Sequence, residues 1–283
     1  MPELPEVEII KNGLNKKLKN QSFVNIEIKN QKSFQGLTNV ILNKKILSLK
    51  RRAKLIWFNL EGENDLIIHL KMTGQLIYQK KLQKIAGGHQ SKDLFSDLPN
   101  KHTRVIFKIS NNGKLYFNDL RKFGWIRVMK KDEIKKLLKK DFGPEPFSAK
   151  FNQNYLFQII KKSPQSNIKK IIMDQKKIAG IGNMYADESL FDAEIDPQTL
   201  GLKMNRQKSN KLYKSILKIL KMGIKYQGIT KSDFVNSDGK KGKMQNYLKI
   251  YGRKGEKCLR CGGEIEKIKL NGRGTYFCPK CQR

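Results

Sequence analysis

The sequence has 283 residues, of which 38% are hydrophobic and 9% aromatic, so it can bury ordinary packed cores and is not a disordered chain. No apolar run approaches the roughly 20 residues that a membrane-spanning helix needs, and the N-terminus lacks the basic and apolar regions of a signal peptide. Against 25 Asp and Glu stand 59 Lys and Arg, a formal net charge of +34 that points to a polyanionic partner, usually nucleic acid. We therefore expect a cytoplasmic protein with two domains and a small third module.

The opening stretch "MPELPEVEII" places Pro2, Glu3, Pro5 and Glu6 directly before a helix. Proline suits a first helical turn and acidic side chains complement the helix dipole there. The apolar spacing of Val7, Ile10, Leu14 and Leu18 predicts a helix over roughly 5–19. Helix initiation explains Pro5 and Glu6 and leaves Pro2 and Glu3 without a structural reason.

From about 23 to 129 the sequence is typical of strands, with short apolar or alternating runs broken by the turn segments "EGEND" and "NNG". Closely spaced short strands favour a sandwich or barrel. The long polar stretch 79–101 is predicted to be a mobile insertion. The two prolines of "FGPEPF" (142–147) predict a domain hinge.

After the hinge the pattern becomes helical. The predicted helices lie in "FNQNYLFQIIKK", "IKKIIMDQKKI", "GNMYADESLFDAE" and "QKSNKLYKSILKILKMGIKY", and the polar segment 228–246 is predicted to be a loop. The helices and strands together make the fold class α+β and multidomain.

All four cysteines lie in the last 26 residues, as two C-x₂-C pairs separated by sixteen residues: Cys258, Cys261, Cys278 and Cys281. This spacing is typical of a structural zinc site with four thiolate ligands and no open position. Disulfides and a redox C-x-x-C are weaker alternatives, since an intracellular chain of this size needs no disulfides. Between the pairs, Arg273 lies between two glycines at the expected hairpin tip, where its planar guanidinium suits a phosphate, although a solvated face is the alternative.

Seven segments now stand in one order: "MPELPEVE", "RRAK" (51–54), "HLKMTG" (69–74), "DLRKFG" (119–124), "GPEP" (143–146), "AGIGNMYADESLF" (179–191) and "IYGRKGEKCLRCG…GRGTYFCPKCQ". Together they resemble the bacterial formamidopyrimidine-DNA glycosylases, bifunctional enzymes that remove 8-oxoguanine and ring-opened purines and then nick the strand. The resemblance covers nearly the whole chain. It implies an N-terminal β-sandwich with flanking helices (1–130), a helix–two-turn–helix domain with a base-covering loop (131–245) and a zinc finger (246–283).

The resemblance also implies a reason for the opening residues. Removal of Met1 would leave Pro2 with a free secondary amine, and the ordinary pKa of an α-amino group, about 7.7–8.0, leaves part of it unprotonated and nucleophilic near neutrality. Glu3 is implied to assist opening of the sugar ring, and Lys54 to donate a proton in β-elimination and contact a phosphate. Arg273 is implied in δ-elimination, although phosphate binding is the role its guanidinium chemistry supports better.

The remaining implied residues contact DNA. Met72, Arg121 and Phe123 match the side chains that fill the gap left by a flipped base, with Arg121 binding the orphaned cytosine. Phosphate contacts are implied for His69, His102, Lys162 and Asn183, of which Asn183 follows the glycines of "GIGN" at a helix start. His69 could equally be a satisfied strand residue, and Met72 and Phe123 could be core residues.

Two departures bear on these expectations. The 79–101 stretch is longer than the family pattern suggests, and Ile229 occupies a position of the base-covering loop where a second glycine is expected. The alternatives are an endonuclease VIII-like glycosylase for oxidised pyrimidines and a non-catalytic zinc-ribbon DNA- or RNA-binding protein. Leu4, Val7 and the intact "DLRKFG" favour the purine-directed branch, and Pro2, Glu3 and Lys54 together favour an enzyme. We expect a nucleoid-associated monomer that binds damaged double-stranded DNA, with one zinc ion, no small-molecule cofactor and no membrane partner.

Overall fold

A computed structural model describes residues 1–80, 83–88, 97–229 and 242–283. The chain divides into two compact units. Unit 1 contains Met1–Lys139 and Gly223–Gln245, and unit 2 contains Lys140–Met222 and Asn246–Arg283. No helix in these described ranges is both long and apolar enough to span a membrane. The domain boundaries given above stay predictions.

Unit 1 is a sandwich of two five-stranded sheets, as expected from the density of short strands. The first sheet has the order β1-β8-β9-β6-β7 and the second β2-β10-β5-β4-β3, with antiparallel pairs throughout except β2 and β10. The strands are β1 (Phe23–Ile28), β2 (Phe34–Gln35), β3 (Ile46–Arg52), β4 (Leu55–Leu60), β5 (Asn64–His69), β6 (Gly74–Lys80), β7 (Gln83–Gly88), β8 (Thr103–Ile109), β9 (Lys114–Asp119) and β10 (Trp125–Lys130).

The core of unit 1 lies between the two sheets and beneath helix α1 (Leu4–Leu18). Phe23 of the first sheet packs with its ring centroid 5.8 Å from that of Phe58 in the second. The apolar face predicted from the helical spacing, including Val7 and Leu14, is buried in this cluster. The predicted N-terminal helix is thus confirmed, and its packing fixes the N-terminus against the sandwich.

The prediction that all of 79–101 is a mobile insertion is wrong for residues 83–88. These residues form β7, which pairs with β6 from Gln75↔Gly88 to Lys80↔Gln83. A Cβ atom added to Gly87 would lie 2.3 Å from Cγ1 of Ile10, so glycine lets β7 pass directly beneath α1. The pairing partner, rather than local composition, makes this segment a strand. The rest of the predicted insertion between 81 and 96 lies outside the described residues.

Unit 2 is built from helices and a C-terminal hairpin. The helices are α2 (Lys131–Asp141), which begins in unit 1, α3 (Gln153–Lys161), α4 (Ile168–Met173), α5 (Asn183–Asp192) and α6 (Arg206–Lys225), which ends in unit 1. The predicted helix in "IKKIIMDQKKI" ends early, at Met173. After it, the Gln175 side chain donates to the Ile181 carbonyl (2.7 Å) and accepts from Gly180 N–H (2.8 Å), which stabilises a turn instead of further helix.

The C-terminal hairpin pairs β11 (Glu266–Leu270) with β12 (Arg273–Phe277). Asn271 and Gly272 join the strands with φ values of 51° and 73°. Positive φ at both positions is the requirement of a two-residue hairpin turn, and Asn-Gly meets it with little strain. Arg273 is therefore the first residue after the turn, one position beyond the hairpin tip at which it was expected.

Candidate active site and nucleic-acid interface

The N-terminus is held by the start of α1. Glu3 is the N-cap residue of this helix, and its backbone N–H donates to Oε2 of Glu6 at 3.0 Å in a capping box. Pro2 and Glu3 are both buried, Glu3 with only 4% of its surface exposed. The helix start thus orients two acidic side chains around the first residues of the chain.

The Met1 α-amino group has a pKa below its ordinary value of 8.0. Burial is the largest cause, because it disfavours the charged ammonium, and the positive charge of Lys54 acts in the same direction. The carboxylates of Glu3 and Glu6 act in the opposite direction and reduce the shift. An amine held in this way is unprotonated over more of the neutral pH range than a solvated one.

Lys54 reaches this environment through the tight turn between β3 and β4. Ala53 has a φ of 53°, which is unusual for a residue with a Cβ atom. The Arg51 guanidinium stabilises the turn, donating to the Ala53 carbonyl at 2.9 Å and to Glu8 of α1 at 2.8 Å. Lys54 itself is 5% exposed. Residues more than fifty positions apart in sequence therefore act on one terminal amine.

The predicted trio of Met72, Arg121 and Phe123 lies on two turns of the sandwich. Met72 is 39% exposed in the turn between β5 and β6, and Phe123 is 53% exposed in the turn between β9 and β10. The Arg121 guanidinium lies 4.7 Å from the Phe123 ring centroid. Neither apolar side chain is a core residue, which removes the alternative considered for both.

His69 lies at the end of β5, and its ring contacts that of Trp125 at 5.7 Å between centroids. Its Nδ1 accepts a hydrogen bond from the Lys71 backbone N–H at 2.9 Å. Burial, with the positive charges of Lys71 and Lys54, lowers the pKa of His69 to about 3. The neutral ring therefore carries its proton on Nε2, from which it can donate to an acceptor such as a phosphate oxygen.

This low pKa predicts a pH-dependent contribution to stability. Unfolded His69 binds a proton below its ordinary pKa of about 6.5 whereas the folded ring stays neutral, so stability is lost as pH falls from 6.5 toward 3. In His69→Asn, Oδ1 can replace Nδ1 as the acceptor and nothing titrates. We expect wild type to lose up to about 2 kcal/mol more than this variant between pH 7 and pH 5, measured by denaturant unfolding. Parallel losses in the two proteins would contradict the assignment of a neutral His69.

His102 is buried beside the turn that carries Arg121. The backbone N–H of His102 donates to Oδ1 of Asn100 at 3.0 Å, and its backbone carbonyl accepts from the backbone N–H of Asp119 at 2.9 Å. The neighbouring Arg104 donates to the Asp119 carbonyl at 2.9 Å. His102 is thus fixed by the same framework as the 119–124 turn.

In unit 2, Asn183 and Arg273 are neighbours. Asn183 is the first residue of α5, and its Nδ2 donates to the carbonyl of Gly274 at 2.8 Å. Arg273, adjacent to Gly274, is exposed. Lys162, the C-cap residue of α3, is exposed as well, and its backbone N–H rather than its side chain closes the helix. Asn183 and Arg273 therefore form one local surface.

Sequence reasoning missed the polar residues that hold this surface in place. Lys169 of α4 is 1% exposed, donates to Oγ1 of Thr275 at 2.7 Å and lies 2.6 Å from Asp187 of α5. Asp187 also accepts from Tyr276 N–H at 3.0 Å. Its burial raises its pKa, against the effect of Lys169. The only sequence signal was a charged residue on an otherwise apolar helix face, which is a weak one against a lysine-rich background.

The four cysteines converge on one point. Their sulfur atoms all lie within 4.8 Å of one another, with Sγ–Sγ distances of 3.5 Å for Cys261 to Cys278 and 3.9 Å for Cys258 to Cys281. A tetrahedral zinc ion with Zn–S bonds of about 2.3 Å requires separations of about 3.8 Å. The thiols therefore fit one structural zinc ion, and it would be bound next to a small core that includes Phe191 and Ile265.

A chain start with buried Pro2 and Glu3 on a β-sandwich, together with a helical unit that ends in a four-cysteine hairpin, is the architecture of a helix–two-turn–helix DNA glycosylase with a zinc finger. Three protein-family models match successive segments of the chain, in the same order as these structural parts. Residues 1–126 match the formamidopyrimidine-DNA glycosylase N-terminal domain, 142–235 the H2TH domain of the same enzymes, and 255–283 the zinc finger found in FPG and IleRS. The chain belongs to the formamidopyrimidine-DNA glycosylase family.

Individual relatives agree over their full lengths. Formamidopyrimidine-DNA glycosylases of Rickettsia africae and Pelotomaculum thermopropionicum are 41% and 37% identical, with 100% of this chain and 99% of each relative covered. Among solved structures, a Lactococcus lactis FPG mutant in complex with Fapy-dG containing DNA has a TM-score of 0.87 at 34% identity, covering 100% of both chains. The Lactococcus lactis enzyme bound to AP-site DNA has a TM-score of 0.85 and covers 99% of both. The family resemblance drawn from the motifs is thus confirmed.

Proposed function

We propose that this chain is a bifunctional DNA glycosylase and AP lyase of base excision repair that removes oxidised purines, namely 8-oxoguanine and formamidopyrimidines. The observation that carries the proposal is the start of the chain, where Pro2 and Glu3 are buried beside helix α1 and the charges of Glu3, Glu6 and Lys54 all act on the amino group of the preceding Met1. A protein that only binds DNA gains nothing from this arrangement. The damaged or abasic-site DNA bound by the Lactococcus lactis relatives supports the same substrate class.

The chemistry follows from the amine of Pro2 once Met1 is removed. Its nitrogen lone pair forms a bond to the sugar C1′ and the damaged base leaves with the glycosidic electron pair. The nitrogen then loses its proton, and its electron pair forms the C=N⁺ bond of an iminium as the bond between C1′ and the ring oxygen breaks and the ring oxygen takes up a proton. Because a secondary amine makes this iminium permanently cationic, it withdraws electrons and acidifies C2′. Loss of a proton from C2′ then expels the 3′ phosphate in a β-elimination, and a second, δ-elimination expels the 5′ phosphate.

Glu3 and Lys54 have proton-transfer roles in this scheme. Glu3 assists opening of the sugar ring by donating a proton to the ring oxygen. Lys54 donates a proton during β-elimination and stabilises a phosphate, a role supported by its buried position near the terminal amine. Glu6 has an accessory role beside Glu3. Its Oε1 lies 3.4 Å from the backbone nitrogen of Ile229, the residue at the start of the base-covering loop. Residues 230–241 of that loop lie outside the described residues.

DNA binding is divided between the two units in this proposal. Met72 and Phe123 replace the flipped base as apolar wedges, and Arg121 binds the cytosine left unpaired. His69, His102, Lys162 and Asn183 contact phosphates. Arg273 binds a phosphate and takes part in δ-elimination. We also propose that the protein acts as a monomer on double-stranded DNA and associates with the bacterial nucleoid through it.

The zinc ion would have a structural role in this scheme. Cys258, Cys261, Cys278 and Cys281 would hold it with no open position, so that it stabilises the hairpin and performs no chemistry. The hairpin in turn presents Arg273.

Borohydride trapping on three DNAs tests the function: a duplex with 8-oxoguanine opposite cytosine, a duplex with an oxidised pyrimidine, and an abasic site. We expect a covalent adduct on the first and third that maps to Pro2. Adducts on the oxidised-pyrimidine duplex but not on the 8-oxoguanine duplex would assign the chain to the endonuclease VIII-like alternative. Tight binding with no adduct on any DNA would overturn the enzyme and leave a zinc-stabilised DNA-binding protein.

A further inference from the structure

Asp119 is a fully buried carboxylate at the end of β9, at the start of the turn that carries Arg121 and Phe123. Its Oδ2 accepts from Gly124 N–H at 2.7 Å, and its Oδ1 accepts from Arg121 N–H at 3.2 Å. One side chain therefore bonds to both ends of the exposed part of this turn.

The same carboxylate reaches the second turn. Oδ1 of Asp119 accepts from the hydroxyl of Thr73, which directly follows Met72. The Thr73 oxygen accepts in turn from Arg121 N–H at 2.9 Å. Asp119 and Thr73 thus join the turn of Met72 to the turn of Arg121 and Phe123, although these segments are about fifty residues apart in sequence.

Both turns need this support, because each contains a residue in a conformation that is unfavourable for L-amino acids. Lys71 has a φ of 51° and Lys122 a φ of 57°. Hydrogen bonds to an ionised acceptor are about twice as strong as those between neutral groups, so a buried carboxylate suits the junction. The Arg104 guanidinium lies beside Asp119, since its Nε donates to the Asp119 backbone carbonyl at 2.9 Å, and the two side chains attract each other electrostatically.

We propose that Asp119 is a positioning residue, an inference that rests on the proposed function. Acting through Thr73, Asp119 fixes the positions of the Met72 and Phe123 side chains relative to Arg121. The pair controls how strictly the protein discriminates the base opposite the lesion. Neither residue touches the reacting atoms. A wedge displaced relative to Arg121 still enters the duplex but no longer places the guanidinium against the edge of cytosine, whose acceptors differ from those of adenine.

The test measures kcat/KM on 8-oxoguanine opposite cytosine and opposite adenine, and compares the ratio between variants. Asp119→Asn replaces one acceptor with a donor that faces N–H groups, and Thr73→Val removes the bridging hydroxyl at nearly constant shape. We expect each variant to reduce the cytosine-to-adenine ratio about tenfold, as expected for the loss of a buried hydrogen bond. Thr73→Ser keeps the hydroxyl and restores most of the ratio.

Asp65→Asn is the matched control. Asp65 is equally buried in the same sandwich and accepts from Trp57 Nε1 (2.7 Å) and Leu60 N–H (2.7 Å), but it contacts neither turn. This variant should lower the melting temperature and leave the ratio at the wild-type value. If Asp119→Asn and Thr73→Val lower the melting temperature and keep the ratio, the residues are structural only and the proposal is overturned. Failure of the proposed function would give a different result from failure of this proposal, because wild type would then form no adduct on 8-oxoguanine opposite either cytosine or adenine.

Discussion

A chain that retains Met1 forms no borohydride-trapped adduct and loses base excision by about 10³-fold or more, as expected when a nucleophile is removed. When Met1 is retained, the Pro2 nitrogen stays in the Met1–Pro2 peptide bond, where its lone pair is delocalised and cannot attack C1′. The Met1 amine that replaces it is primary and is one residue out of place. Intact-protein mass spectrometry of the trapped complex measures the effect, with binding to an uncleavable abasic analogue recorded in parallel.

Two further variants separate the terminal amine from the helix start. Pro2→Gly, processed to a free N-terminus, keeps a primary amine and is expected to form less adduct than wild type and more than the Met1-retained chain. Pro5→Ala changes the second buried proline of the helix start and leaves the terminal amine unaltered, so adduct formation continues. Full trapping by the Met1-retained chain would exclude Pro2 as the nucleophile.

Substitution of Cys278 by serine is expected to have the second large effect. Binding of a structural zinc ion is worth roughly 10–16 kcal/mol in isolated zinc-finger peptides, and this free energy also stabilises the fold around the ligands. Loss of the ion frees the hairpin that carries Arg273 and its neighbour Gly274, which Asn183 contacts. We expect affinity for an abasic duplex to fall about 100-fold or more, the equivalent of two charge-assisted hydrogen bonds. Zinc content, melting temperature and duplex affinity measure the outcome.

Leu259→Ser provides the matched control for this experiment. Leu259 lies between two of the ligands and is 72% exposed, so its replacement leaves the sulfur atoms in place. The variant should bind one zinc ion and change stability by no more than about 0.5 kcal/mol. A Cys278→Ser protein that binds the duplex as tightly as Leu259→Ser would show that the hairpin contributes nothing to DNA binding.

Features that are local in sequence could be predicted from it. Apolar spacing identified α1, alternation identified the strands, and the cysteine spacing identified the hairpin, because each signal reflects a local geometric period or a fixed ligand count. Strand β7 was missed because its identity depends on β6 and on the space that Gly87 leaves for Ile10. The early end of α4 likewise depends on a Gln175 side chain that bonds to backbone groups after the helix.

The residues of the candidate site also divide into those that could be predicted from local sequence and those that could not. Residues inside short motifs, such as Glu3, Arg121 and Asn183, could be named from the sequence and a family resemblance. Their supports could not, since Asp119 bonds to Thr73 across about fifty residues and Lys169 bonds to Thr275 across about a hundred. Nothing in the sequence distinguishes the buried Lys169 from the many solvated lysines. Burial decides its role, and burial is a property of the folded chain.

The buried pair of Lys169 and Asp187 has an evolutionary consequence. Replacement of either residue alone leaves an unpaired charge in the interior, which typically costs 3–5 kcal/mol, a large share of the stability of a domain. Exchange of both for apolar residues of similar volume is often neutral. Lineages therefore reach an apolar version of this contact only through an unstable intermediate or a simultaneous double change. The two positions are expected to be inherited together, so that α4 and α5, the helices that they join, diverge as one unit.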